Sequence, residues 1–85
     1  MDQSAHPNPF NATTSISVTL PNRSELTVQV YNIAGQRVAE FGNGLYPGGL
    51  HKFIFDGSEL ASGIYFIRAF TDQRWSGVEN MILVK

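Results

Sequence analysis

The chain has 85 residues, six basic and seven acidic side chains, a formal charge of −1, no cysteine, and 42% hydrophobic and 12% aromatic residues. This describes one domain with a thin core, in which roughly 60–65% of the unfolded surface is buried, without disulfide or thiolate chemistry. Scattered charges argue against nucleic acid as a partner, the apolar runs are too short for membrane insertion, and the opening MDQSAH lacks a basic stretch followed by an apolar block, so it does not read as a signal peptide.

Residues 1–6 read as a linker or as residues added ahead of the domain, with Met1 as an added start; the domain proper is expected over 7–85. The lead-in HPNPFNATT places Pro7, Asn8, Pro9, Phe10 and Asn11 ahead of the first strand-like run. Pro7 and Pro9 keep the chain extended, so Phe10 is presented as an anchor with little entropy to lose. Asn8 and Asn11 are placed to cap a turn through side chain to backbone bonds.

In TTSISVTL, Ile16, Val18 and Leu20 alternate with Ser15, Ser17 and Thr19, and in ELTVQVYN, Leu26, Val28 and Val30 alternate with Thr27 and Gln29. Period two with one wet face predicts half-buried strands. Pro21-Asn22 marks the turn between them. Gly35 punctuates the next junction, and QRVAEF predicts a short strand. The cluster GNGLYPGGL follows, in which Asn43-Gly44 is a tight-turn signal because both residues tolerate positive φ.

LHKFIFD puts His51, Phe53 and Phe55 on one face, with Leu50 and Ile54 on the other. DGSELASG predicts a compact loop with room for one helical turn. GIYFIRAFT and WSGVENMILVK predict two long closing strands separated by DQR. No dozen residues show the apolar spacing of an amphipathic helix. The fold class is therefore all-β: an immunoglobulin-like antiparallel β-sandwich of about seven short strands at roughly ten-residue spacing.

Catalysis finds little to work with. His6 and His51 are the only histidines, no GxSxG elbow is present, and so small a sandwich leaves little room for a cleft with an oxyanion hole. Two isolated histidines without cysteine do not make a zinc site. Asp56-Gly57-Ser58-Glu59 lacks the spacing of a calcium loop and reads better as an Asx turn with Gly57 at positive φ. No phosphate-cradling glycine loop precedes a helix. The expectation is no enzyme, no cofactor and no metal.

Asn11-Ala12-Thr13 and Asn22-Arg23-Ser24 are glycosylation sequons whose asparagines also sit where turns favour asparagine. Trp75, Phe70 and Tyr46 are candidates for a sugar-stacking platform; covering the ends of a thin core is the simpler use of three such rings.

Four stretches, HPNPFN, VQVYNIAGQRV, LHKFIFDGSELASGIYFIRA and ENMILVK, come in an order and spacing that resembles the C-terminal sorting domain carried by cargo of the type IX secretion system. The related immunoglobulin-like domain of flagellar hook-cap proteins is also similar. The resemblance spans Pro7 to Lys85. Departures are His6 ahead of the PNPF box, Asn32 after Tyr31, Phe55 in place of a common tryptophan, Trp75 where a polar residue is usual, and Asn80 ahead of Met81.

The resemblance implies a noncatalytic module of a larger secreted enzyme or adhesin, reaching the medium or cell surface of a Gram-negative bacterium through the periplasm. Its partners would be the outer-membrane secretion machinery and the upstream domain. The motif positions to examine are Pro7, Asn8, Pro9, Phe10, Asn11, Tyr31, Gly35, Asp56, Gly57, Gly63, Tyr65, Met81, Leu83 and Lys85. MILVK is expected either to complete a sheet or to offer an edge for strand addition. A carbohydrate-binding accessory module and a structural spacer are the alternatives.

Overall fold

The computed structural model describes residues 2–6, 11–72 and 76–84. The alternating runs become strands: β1 (Asp2–His6), β2 (Thr13–Leu20), β3 (Ser24–Asn32), β4 (Arg37–Tyr46), β5 (Gly49–Asp56), β6 (Gly63–Thr71) and β7 (Ser76–Leu83). They form two antiparallel sheets, β1-β2-β5 and β4-β3-β6-β7. In immunoglobulin lettering this is A-B-E against C′-C-F-G, a β-sandwich as expected.

The period-two pattern decides which side chains face inward. Ile16, Val18 and Leu20 from β2 meet Leu26, Val28 and Val30 from β3, Tyr65, Ile67 and Ala69 from β6, and Met81 and Leu83 from β7; Phe55 joins them from β5. All are buried, none more than 6% exposed. Half-buried Ala5, Val38, Phe41, Tyr46, Phe53 and Leu60 close the flanks and ends. Phe41 stands edge-on to Phe55 at 6.4 Å, an arrangement aromatic quadrupoles favour. On β5, Phe55 is buried, whereas Leu50 and Ile54 face solvent.

Two segments differ from expectation. Asp2–His6, read as linker, is a strand paired with β2 from Asp2↔Thr19 to His6↔Ser15. An edge strand needs only ladder hydrogen bonds on one side, so a polar stretch in which Ala5 packs against the core is sufficient. The second difference is Asn43-Gly44, which makes no hairpin turn.

β4 runs on to Tyr46, and its register against β3 shifts between Leu26↔Gly44 and Val28↔Phe41. Gly42 and Asn43 thus oppose Thr27 alone. Gly42 has φ +59°, the bulge form whose first residue is a left-handed glycine. The positive-φ tolerance of the segment is used, but to bulge an edge strand instead of reversing it. Reversal comes at Pro47-Gly48, between β4 and β5.

Candidate functional site

The strand registers sort the connections into two ends. At one end lie the β2–β3 and β4–β5 turns, with Asp2 beside Thr19 and Leu20 beside Gly49. At the other lie the start of β2, the β3–β4 turn, the β5–β6 loop and the close of β7, as Thr13↔Asp56, Asn32↔Tyr65 and Gly63↔Leu83 show. The domain is 37 Å along its longest axis. Asn11, Gly35, Asp56, Gly57, Gly63, Tyr65 and Leu83, scattered in sequence, therefore gather at one pole. Tyr31 and Met81 sit one and two residues inward from it along β3 and β7.

Hydrogen bonds fix this pole. Asp56 Oδ1 accepts from Ser58 N–H at 2.9 Å, which is the anticipated Asx turn, but Gly57 is not among the glycines at positive φ, so the turn closes without the left-handed residue expected there. Gly57 is buried, its N–H donates to the Ala12 carbonyl, and its own carbonyl accepts from Leu60 N–H at 2.9 Å. The loop is thereby tied to the segment entering β2. Asn11 is exposed, with its carbonyl accepting from Thr13 N–H.

Tyr65, near the start of β6, sends its hydroxyl back to the Ala61 carbonyl at 2.6 Å. This is the tyrosine corner of immunoglobulin-like sandwiches. It gives the Gly63-Ile64-Tyr65 stretch a structural meaning: the ring enters the core and the oxygen secures the loop.

The β3–β4 turn is tied by Asn32. Its Oδ1 accepts from Ala34 N–H and Gln36 N–H, both at 3.0 Å, and its Nδ2 donates to Gln36 Oε1 at 2.9 Å. The Asn32 carbonyl accepts from Gly35 N–H, and its N–H donates to the Gln36 carbonyl. Gly35 has φ +81°, a conformation that disfavours a Cβ. Asparagine thus supplies a side-chain acceptor to two turn amides at once.

The outer face of β3 and β4 carries a polar chain. Tyr31 donates to Gln29 Oε1, Gln29 Nε2 donates to Glu40 Oε2 at 2.8 Å, and Arg37 lies 3.4 Å from the same carboxylate. Met81 and Leu83 are fully buried. β7 completes the four-stranded sheet as its edge strand, so this stretch contributes Met81 and Leu83 to the core. Pro7, Asn8, Pro9, Phe10 and Lys85 lie outside the described residues.

Trp75 also lies outside them. Of the other two rings considered as a stacking platform, Tyr46 pairs opposite inward-facing Ser24 and Phe70 opposite outward-facing Thr27. They lie on opposite sides of one sheet and share no platform. Arg68 covers Phe70, 4.9 Å from its centroid. His51 packs edge-on to Tyr46 with Nε2 2.7 Å from the Pro47 carbonyl, at the opposite pole. Among the described residues no three His, Cys, Asp or Glu side chains converge on a metal-sized space.

One feature of the pole was not legible beforehand. Between the β3–β4 turn and the start of β6 lies a cleft of about 240 Å³, walled by Asn32–Ala34 and Ala61–Tyr65. Its rim carries Ile33, 76% exposed, and Ile64, 45% exposed. In sequence an isoleucine reads as core, and only the turn geometry reveals that Ile33 stands outside.

The architecture is that of a small immunoglobulin-like sandwich with its sequence motifs gathered at one end. The chain belongs to the secretion system C-terminal sorting domain family, whose model matches residues 4–84. Among solved structures it is similar in fold to PorZ, described as an essential bacterial surface component of the type-IX secretion system of Porphyromonas gingivalis, with a TM-score of 0.70 and 13% identity. That likeness covers 98% of this chain and 11% of PorZ; at such identity it concerns fold alone. No curated protein matches the chain.

Proposed function

We propose that this domain is the noncatalytic C-terminal sorting signal of a larger exported protein, read by the type IX machinery of the outer membrane, and that the cargo is then held at the cell surface. The observation that carries this reading is the sorting-domain match over residues 4–84. The structure is compatible with it. The start of β1 and the motif-bearing pole lie at opposite ends of the sandwich, so chain preceding Asp2 would depart away from that pole.

The test fuses residues 1–85 to a periplasmic reporter in a host with a working type IX system. Reporter at the cell surface or in the medium is expected, and retention in the periplasm refutes the proposal. Deleting residues 81–85 is an ambiguous variant, because Met81 and Leu83 are core and their loss unfolds what is being tested. Substitution at exposed Val84 separates recognition from folding.

A further inference from the structure

Resting on the sorting role just proposed, we infer that the largely apolar cleft between the β3–β4 turn and β6 is the docking pocket for one large apolar side chain on an uncharged segment of the secretion machinery. Three observations carry this. First, both walls are fixed before any partner arrives: Asn32 ties one turn through Ala34, Gly35 and Gln36, and the Tyr65 hydroxyl ties the other at Ala61. A preformed site avoids the ordering cost that weakens binding by mobile loops.

Second, Ile33 is held out on this fixed turn at 76% exposure, with Ile64 across the cleft at 45%. A β-branched side chain has few rotamers to lose, so two such residues form a stiff apolar rim.

Third, no wall residue is charged at neutral pH. A charged side chain entering the cleft would lose hydration and gain no ion pair. The complementary occupant is therefore neutral: an aromatic or branched aliphatic side chain.

The reporter fusion of residues 1–85 tests this with Ile33→Asp and Ile64→Asp, and with Leu50→Asp, a comparably exposed position toward the opposite pole, as control. Circular dichroism melts establish that each variant folds; Ile33→Gln serves if an aspartate disturbs the turn. Export is expected to fall about tenfold or more at positions 33 and 64, the effect of losing one apolar anchor, and to stay at the parent level for Leu50→Asp. A photo-crosslinker at position 33, but not at 50, should capture a component of the outer-membrane machinery.

Parent export with equal export of both cleft variants overturns the docking pocket and leaves the sorting role standing. Failure of the parent itself to be exported overturns the sorting role, and this inference with it. A dimer of the isolated domain that Ile33→Asp dissolves would assign the cleft to a second copy of the chain and overturn the inference in a different way.

Discussion

Replacing Tyr65 by Phe isolates one atom of the fold. The ring, 6% exposed, stays in the core, and only the oxygen that donates to the Ala61 carbonyl at 2.6 Å is removed. Ala61 is exposed, so its carbonyl can turn to water instead of remaining a buried orphan. The loss should therefore stay near the net value of one hydrogen bond, about 1 kcal/mol, below the upper range for buried unsatisfied groups. In a domain of this size that corresponds to a fall in Tm of about 4–8 °C.

Urea unfolding followed by circular dichroism reads it directly: the midpoint should drop while the slope is unchanged, since the same surface is exposed. Amide exchange should also quicken at Leu60, whose N–H is bonded within the loop that Tyr65 secures. A variant within about 0.3 kcal/mol of the parent, well below the usual worth of such a bond, would show that the hydroxyl does not hold the loop. Tyr65→Ala provides the scale, at roughly 3–5 kcal/mol for loss of a buried ring.

Gly42→Ala places a Cβ 2.9 Å from Phe53 Cζ on a backbone at φ +59°; the left-handed backbone alone costs about 1–2 kcal/mol, and thermal melts should show at least that loss. Asn32→Ala removes the acceptor of two turn amides and should cost about 1–2 kcal/mol, with faster exchange at Ala34 and Gln36; unchanged exchange there would refute the Asx-tied turn. Met81→Ala empties a fully buried site and should cost about 2–5 kcal/mol, measured by denaturant melts, whereas Val84→Asp at an exposed position should change stability by less than about 0.5 kcal/mol.

The strands and their inward faces follow from alternation. Ile16, Val18 and Leu20, and likewise Leu26, Val28 and Val30, occupy every second position, and a strand has no other way to bury all three. The Asx turn at Asp56 was legible for the same local reason: a side-chain oxygen two residues from an amide needs no distant partner. Family motifs were legible as words, but their roles were not. Gly63-Ile64-Tyr65 became a tyrosine corner only once the Ala61 carbonyl came within reach of the Tyr65 hydroxyl, and Met81 and Leu83, motif positions in a segment expected either to complete a sheet or to offer an edge, became core once β7 paired with β6.

Asn43-Gly44 shows where local reading ends. The sequence requires a residue at ease with positive φ in this segment, yet pairing with β3 decides whether that freedom makes a turn or, through Gly42, a bulge. Likewise β1 exists because β2 presents a ladder to it, not because DQSAH prefers to be a strand. What the amino-acid order determined by itself was the period and punctuation of the chain, because sterics and alternation act between neighbours. Which loops meet at one pole, and that Ile33 and Ile64 face each other across a cleft there, was decided by strand pairing between residues distant in sequence.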